Sequence, residues 1–195
     1  MNDSHRDLDR LRELLLVREA QQGQAEAFRT LVDAYERRLL YFIRRILGEE
    51  DRSLDVLQDV WLTVIKRLPS LQSAEAFRVW LYRIARDKAV DAVRGRQRER
   101  EVLANIAESL PEEPADQIEP GFTNENIELI HHALGLLSAA RREVLTLRFL
   151  EDMSLEEVSL EEVSQVVGCP IGTVKSRLHH AQRLLRHQIE ELNHA

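Results

Sequence analysis

Apolar residues recur at steps of three and four positions through the first half of the chain, and this spacing constrains the fold more than any other feature. The clearest series is Phe28, Leu31, Val32, Tyr35, Leu39, Phe42, Ile43 and Ile46. Such spacing places apolar side chains along one face of an α-helix. Because only 7 glycines and 5 prolines interrupt the 195 residues, the sequence predicts an all-α protein.

Local signals divide this half into successive helices. Gly48 is expected to end the helix of that series as its C′ residue, Ser53 is a suitable N-cap for the next helix, and Pro69 stops it. Ser73 can cap a further helix that runs to Arg98. The predicted apolar face of the helix after Ser53 is Leu54, Leu57, Trp61, Ile65 and Leu68. That of the helix after Ser73 is Phe77, Trp80, Leu81, Ile84, Ala85 and Val90.

The helical pattern breaks at residues 105–123, where three prolines, a glycine and an acidic excess predict a flexible, self-repelling linker. Periodicity then resumes, and Ser138 can cap another helix. The apolar residues after the break are Ile127, Ile130, Leu134, Leu137, Val144, Leu145, Leu147 and Leu150. We therefore expect two small helical domains, residues 8–98 and 124–193, joined by a flexible acidic linker over residues 99–123.

Charge is distributed unevenly along the chain. The formal net charge is −7, yet residues 78–100 and 172–188 are locally basic. One such stretch is often no more than a solvated helix face. Two of them in a small acidic chain favour a nucleic-acid partner.

Several classes of protein are disfavoured by composition. The lone Cys169 excludes an intramolecular disulfide and a cysteine-based zinc site. Histidines at 131–132 and 179–180 lack metal-ligand spacing, and no phosphate loop or nucleophile motif is found, so we expect no metal, no cofactor and no enzymatic activity. No signal peptide or membrane-length apolar run is visible, which predicts a cytoplasmic protein.

Residues 160–185, LEEVSQVVGCPIGTVKSRLHHAQRLL, have the pattern of a helix-turn-helix. A short amphipathic helix ends at Gly168, and Pro170 lies near the first position of the next helix, where a missing N–H costs nothing. The second helix of this motif enters the DNA major groove. The polar and basic residues of that helix are Thr173, Lys175, Ser176, Arg177, His179, His180, Arg183 and Arg186, opposite Val174, Leu178, Ala181, Leu184 and Leu185.

Three stretches together resemble a known family. LSAARREVLTLRFLEDMSLEEV with GCPIGTVKSRLHHAQRLL is similar to region four of bacterial sigma factors, LDVLQDVWLTVIKRL to region 2.2, and AFRVWLYRIARDKAVDAVRGR to regions 2.3 to 2.4. Their order and spacing resemble the extracytoplasmic-function (group IV) sigma factors, which keep only regions two and four. The resemblance implies an alternative sigma factor that binds core RNA polymerase, through its beta-prime and beta subunits, and promoter DNA. An anti-sigma factor is a further possible partner, and no membrane association is implied.

The resemblance also implies residue roles. The implied core-polymerase contacts are Asp55, Gln58, Asp59 and Trp61. The implied contacts to the opened minus-10 element are Arg78, Arg83, Arg86, Asp87, Lys88 and Arg94, whereas the Trp80 stripe is expected to form core. The implied minus-35 contacts are Thr173, Lys175, Ser176, Arg177, His179, His180 and Arg183. The linker resembles a segment that threads toward the RNA exit path in this family, although a plain tether explains it equally well.

Two positions depart from the family pattern. Ser53-Leu54-Asp55 replaces a small-acidic-Asp triplet, so one acidic contact to polymerase is missing. Asp87 replaces the usual Asn, and its carboxylate would weaken DNA binding unless Arg83, Arg86 or Lys88 neutralises it. Promoter preference is therefore expected to differ.

The word SLEEV occurs twice in tandem, at residues 154–158 and 159–163. Both copies are capping boxes, Ser154 with Glu157 and Ser159 with Glu162. Five residues rotate a helix by about 500°, a net turn of roughly 140°, so one helix cannot bury both copies against one core. We predict that the second copy, fixed in register to Gly168, forms the first helix of the helix-turn-helix.

Two other functions are compatible with parts of the sequence. A helix-turn-helix regulator that is not part of polymerase would explain the C-terminal domain, but a two-component regulator requires alternating strands that the N-terminal half lacks. A helical adaptor that binds only protein would leave the basic stretch 172–188 without a role.

Overall fold

A computed structural model describes residues 3–48, 50–106, 134–149 and 159–193, and within them the chain is helical with no strand. The α-helices are α1 (Asp3–Gln21), α2 (Ala25–Leu47), α3 (Glu50–Arg67), α4 (Phe77–Ile106), α5 (Ala139–Phe149), α6 (Leu160–Val167) and α7 (Ile171–Asn193). Two 3₁₀ turns, Leu68–Ser70 and Ala74–Ala76, connect α3 to α4.

The N-terminal half, α1 to α4, is built around α2, which packs against the other three helices. Its predicted apolar series supplies the core, with Leu39, Phe42 and Ile43 fully buried. Tyr35 packs edge-on against Phe77 of α4 at 5.8 Å between ring centroids. As predicted, α2 ends at Gly48, whose φ of 76° is left-handed and whose N–H donates to the Arg44 carbonyl at 2.8 Å.

The predicted start and apolar face of α3 are wrong in part. Ser53 is not an N-cap, because α3 already begins at Glu50 and Ser53 is fully buried inside it. Leu57 and Leu68 are buried as predicted, but Leu54 and Ile65 are exposed. The remaining buried apolar positions are Val56, Val60 and Val64. Since α3 carries apolar residues on two faces, spacing alone did not identify the one that packs on α2.

The boundaries of α4 also differ from the prediction. The Ser73 hydroxyl donates to the Glu75 carboxylate at 2.6 Å rather than capping a helix, and a 3₁₀ turn intervenes before α4 begins at Phe77. At its other end α4 continues to Ile106, past the predicted domain boundary at Arg98. The first residues of the predicted linker are therefore helical.

The C-terminal half, α5 to α7, contains the predicted helix-turn-helix in α6 and α7. The capping box of the second SLEEV copy is present: the Glu162 N–H donates to Ser159 Oγ at 3.1 Å, and the Ser159 N–H donates to Glu162 Oε2 at 2.9 Å. Gly168 ends α6 with a left-handed φ of 67°. The second copy therefore forms the first helix of the motif, as predicted.

Some predicted features fall beyond the described residues. They are the first SLEEV copy at 154–158, Leu150, and the helix expected to include Ile127 and Ile130. The other apolar residues predicted after the break are described, and all of them are buried: Leu134, Leu137, Val144, Leu145 and Leu147.

The two halves pack directly against each other. α5 lies against α2, and α6 lies against α4. At the first contact, Arg142 of α5 donates to the Arg45 carbonyl of α2 at 3.4 Å. Buried apolar residues of both halves belong to one continuous cluster. The sequence predicted two tethered domains, but it did not predict that they dock.

Candidate functional site

The outward face of α3 combines carboxylates with exposed apolar side chains. Asp55, Gln58 and Asp59 are exposed and lie within one helical turn, so their side chains share a face. Leu62 follows on that face and is 50% exposed. Leu54 and Ile65 flank it with similar exposure. We call this set the α3 surface; it is acidic at its centre and apolar at its ends.

Trp61, a predicted polymerase contact, is partly buried against α2. Its ring packs edge-on against Phe28 of α2 at 5.9 Å, and its Nε1 is buried without a hydrogen-bond partner among the described residues. Leu57 is only 4% exposed and is therefore part of the core rather than of this surface. The exposed apolar groups on this helix are Leu54, Leu62 and Ile65. Leu54 and Ile65 were predicted to lie in the core, and Leu62 was not predicted.

The solvent side of α4 carries the predicted minus-10 residues in two distinct environments. Arg83 and Arg94 are exposed, and Arg94 lies 3.7 Å from Asp91 on its own helix. Lys88 Nζ lies 4.0 Å from Asp59 of α3, at the junction with the α3 surface. Arg78 and Arg86 are only partly exposed and face the C-terminal half. These two arginines are therefore less accessible than Arg83 and Arg94.

Arg78 is paired with Glu162 of α6. Its Nη2 lies 2.8 Å from both carboxylate oxygens, and the side chains are 20% and 26% exposed. Burial, the largest single influence, lowers the pKa of Arg78, but the hydrogen bond and charge of Glu162, together with Tyr35 and Glu13, raise it overall. Burial likewise raises the pKa of Glu162, whereas its bonds to Arg78 and Ser159 bring it below its usual value. Both groups are therefore held in their charged forms.

Arg86 is paired with Glu143 of α5, with its Nε 2.5 Å from Glu143 Oε1. Burial raises the pKa of Glu143, and the nearby Arg86 and Arg177 only partly offset this. Arg86 Nη1 also lies 3.8 Å from Asp87, so a cation lies beside the unusual carboxylate at position 87. Glu143 thus interacts with an arginine from each of the two predicted DNA sites.

The recognition helix α7 presents most of its polar face to solvent. Lys175, Ser176, His179, His180 and Arg183 are exposed on one side, and Thr173 is half-buried near the start. On the opposite side Val174, Leu178 and Ala181 are buried, as predicted, while Leu184 is 38% exposed.

Arg177 differs from its neighbours on α7 because it is half-buried. Its Nη1 points to the Cys169 sulfur at 3.6 Å, across the turn of the motif. The Cys169 carbonyl accepts a bond from Ser164 Oγ at 2.7 Å. Arg177 therefore braces the turn, while the exposed row on α7 faces solvent.

Sequence profiles and relatives match nearly the whole chain. The profile of sigma-70 region 2 matches residues 31–99, and that of sigma-70 region 4 matches residues 133–187. The RNA polymerase sigma-H factor of Pseudomonas aeruginosa is 30% identical over 185 residues, which cover 91% of this chain and 93% of that protein. The chain belongs to the extracytoplasmic-function (ECF) group of sigma-70 factors. SigW, an ECF sigma factor of Bacillus subtilis, is 27% identical over 184 residues, which cover 90% of this sigma factor and 96% of SigW.

This ECF sigma factor shares its fold with two solved structures. CnrH, solved in complex with the cytosolic domain of CnrY, superimposes with a TM-score of 0.65 at 24% identity, covering 92% of this chain and 98% of that one. The sigma factor RpoE of Bartonella quintana, solved with the anti-sigma factor NepR, superimposes with a TM-score of 0.68 at 22% identity, covering 85% and 98%. The predicted all-helical fold is confirmed.

Family membership confirms the predicted function. As an alternative sigma factor, the protein binds core RNA polymerase and promoter DNA and directs the initiation of transcription. Sigma factors in general are not enzymes. No helix in the described part of the chain has the length and apolar character needed to span a membrane.

Proposed function

We propose that the α3 surface is the principal contact with core RNA polymerase, through the coiled coil of the beta-prime subunit. The supporting observation is that Asp55, Gln58 and Asp59 stay exposed beside unpaired apolar side chains, while the opposite face of α3 is buried on α2. Carboxylates at a rim set register and association rate, and desolvated apolar groups supply affinity. Leu54, Leu62 and Ile65 supply exposed apolar contact beside the partly buried Trp61.

We assign the minus-10 strand to the basic side of α4. Arg83 and Arg94 are exposed and accessible to backbone phosphates, and Lys88 lies where α3 and α4 meet. Arg78 and Arg86 extend this row, and both reach DNA only when their glutamates leave. Arg86 lies 3.8 Å from Asp87 and so reduces the repulsion between that carboxylate and the strand. Backbone binding of this kind depends on charge and is sensitive to salt.

The minus-35 duplex is assigned to α7. A helix entering the major groove uses residues of its N-terminal turns for base edges and its flanking cations for phosphates. Thr173, Lys175 and Ser176 occupy those turns, and His179, His180 and Arg183 continue the exposed row. Arg177 contributes by fixing the turn and, when Glu143 withdraws, by contacting DNA.

We retain two functional domains, residues 8–98 and 124–193, with residues 99–123 as the connection between them. The first residues of this connection, up to Ile106, belong to α4. We also propose that the protein has no catalytic activity, acts in the cytoplasm and is controlled by an anti-sigma factor. The last suggestion is favoured by the similar fold of RpoE, which was solved with NepR.

The assignment of the α3 surface is tested by holoenzyme formation. Asp55→Asn/Asp59→Asn should weaken binding to core RNA polymerase by about tenfold or more, because two charge pairs at one contact are lost. Asp33→Asn/Glu36→Gln on the exposed side of α2 removes the same charge elsewhere and serves as the control. Affinity is measured by competition against a labelled reference sigma factor. Equal effects in both variants would contradict the assignment.

A transcription assay distinguishes a sigma factor from a regulator outside polymerase and from a protein-binding adaptor. DNA selected by the holoenzyme from a random library should support run-off transcripts from defined start sites. A regulator outside polymerase would bind DNA without directing core enzyme, and a protein-binding adaptor would select no DNA.

A further inference from the structure

The first helix, α1, carries apolar residues on two opposite sides. Val17 and Ala20 are buried in the core of the N-terminal half, whereas Leu8, Leu11 and Leu15 are 61%, 56% and 61% exposed. At about 100° per residue these three leucines lie within roughly 60° of one another, on the side of α1 away from Val17. We call them the α1 seam. Single exposed leucines need no explanation, but a contiguous row of them marks an interaction site.

The spacing of the α1 seam is that of two helices packed side by side. Its leucines are three and four residues apart, as at the a and d positions of a heptad. Arg18, the next residue at this spacing, is charged and exposed, so the seam is about two turns long. Such a short seam cannot hold an isolated helix together. Here α1 is already held by its packing on α2, so the seam has only to supply the contact.

Two opposite charges lie beside the α1 seam and are unpaired within the described part of the chain. Asp9 and Arg12 are both exposed, and they lie on the same side of the seam. Asp91 and Arg94 of α4 have the same spacing and lie 3.7 Å apart. Asp9 and Arg12, in contrast, form no ion pair with each other or with any other described residue. Both charges can therefore pair with a partner.

The leucines and these charges make the α1 seam complementary to itself. A two-fold axis near Leu11 packs two copies of α1 antiparallel, so that Leu11 meets its own copy and Leu8 meets Leu15 of the second copy. The same axis brings Asp9 of each copy alongside Arg12 of the other. The two arginines also approach each other near the axis, and the two aspartates offset their repulsion. A second copy thus matches every group of the seam.

We propose that the α1 seam is a dimerisation surface, at which α1 of a second copy packs antiparallel and exchanges Asp9–Arg12 ion pairs across the two-fold axis. Three leucines per copy provide less contact than the standard interface of about 800 Å² per partner, so the dissociation constant is expected on the order of 10–100 µM. The seam contains none of the residues assigned to polymerase or DNA, and the proposal does not depend on those assignments.

The apolar part of the proposal is tested with the full-length protein by sedimentation equilibrium between about 5 and 200 µM, which brackets the expected dissociation constant. The average mass should rise from monomer toward dimer. Leu11→Gln should weaken dimerisation by about tenfold or more, because both copies lose the contact at the axis. Leu136→Gln, at a leucine with the same 56% exposure before α5, is the control and should change nothing. Circular dichroism checks that the helix content is equal.

Charge reversal tests the antiparallel pairing itself. Asp9→Arg puts an arginine beside Arg12 of the second copy, and Arg12→Asp puts an aspartate beside Asp9, so each single variant should be largely monomeric over the same range. The double variant Asp9→Arg/Arg12→Asp restores opposite charges at both pairs and should recover dimerisation to within about threefold of the original. Asp33→Arg on the exposed side of α2 makes the same change in net charge elsewhere and should leave the dissociation constant unchanged.

Each contrary result overturns the proposal. A protein that stays monomeric at every concentration would exclude the second copy, and if Leu11→Gln then weakened binding to core RNA polymerase, the seam would belong to polymerase instead. A dimer that tolerates Leu11→Gln, or that is weakened equally by Leu136→Gln, would form at another surface or through general apolar exposure. Single charge variants that the double variant does not rescue would exclude the antiparallel ion pairs.

Discussion

α4 and α7 are both DNA helices by assignment, yet they present their cations differently. On α7 a row from Lys175 to Arg183 is exposed, and only Arg177 turns inward. On α4 the exposed Arg83 and Arg94 lie beside Arg78 and Arg86, both of which are held by acids of the other half. The duplex-binding surface is open in this structure, whereas the strand-binding surface is partly covered. Local sequence charge alone does not show whether a basic surface is available.

The largest effect is expected from removing the core beneath α4, which tests whether the two halves unfold together. Phe77 is fully buried, and Phe77→Ala should destabilise the protein by about 3–5 kcal/mol because it leaves a cavity. Since the cluster of buried residues runs through both halves, urea unfolding followed by circular dichroism should remain a single transition. Gln72→Ala on the exposed turn is the control. Two transitions, with one at the original midpoint, would show that the halves unfold separately.

Two arginine variants test the difference between the paired and the exposed cations of α4. Arg78→Ala leaves Glu162 partly buried without its partner and should cost about 1–3 kcal/mol of unfolding free energy. Arg83→Ala removes an exposed cation on the same helix and should change stability by less than about 0.5 kcal/mol. Urea denaturation measures both. Equal small effects would indicate that the Arg78 pair adds nothing to stability.

On α7, Lys175→Ala should leave stability unchanged but weaken duplex binding. Loss of one phosphate contact lowers the slope of log affinity against log salt by about 1 and reduces affinity uniformly across sequences. Fluorescence anisotropy with a duplex at several salt concentrations measures this. A variant that changed sequence preference without changing the slope would instead place Lys175 on a base edge. Gln182→Ala on the same exposed helix is the control.

The smallest expected effect depends on pH. Because the pKa of Glu162 is lower when folded than its unfolded value of about 4.3, its contribution is complete above that pH and is lost as pH falls through the folded pKa. Glu162→Gln should therefore cost roughly 0.5–1 kcal/mol near neutrality and nothing at low pH. Thermal unfolding of both proteins between pH 3 and 7 tests this. A pH-independent difference would point to packing as the cause.

Much of the local structure was predictable from sequence. The face of α2, the stop at Gly48 and the capping box of Ser159 each depend on residues within a few positions of one another. α3 was harder, because valines at 56, 60 and 64 and apolar residues at 54, 62 and 65 form two faces, and only packing on α2 distinguishes them. Trp61, which is next to this pattern, is partly buried against Phe28, and its contact with polymerase stays a prediction.

The contacts between the halves could not be predicted in the same way. Glu162 was identified as the third residue of a capping box, but nothing near it in sequence points to Arg78. Glu143 lies inside α5 without a local signal of any kind. Such pairs form only when two folded units pack against each other. The periodicity of a single sequence indicates local helices but not which surfaces of two units come into contact.

Glu162 performs two tasks with one carboxylate. Its Oε2 accepts the Ser159 N–H that starts α6, and both of its oxygens contact Arg78 across the boundary between the halves. Initiation of the helix and attachment of its domain therefore share an atom. A substitution at position 162 that lacks a side-chain acceptor therefore disturbs both the start of the DNA-binding motif and the contact between the halves.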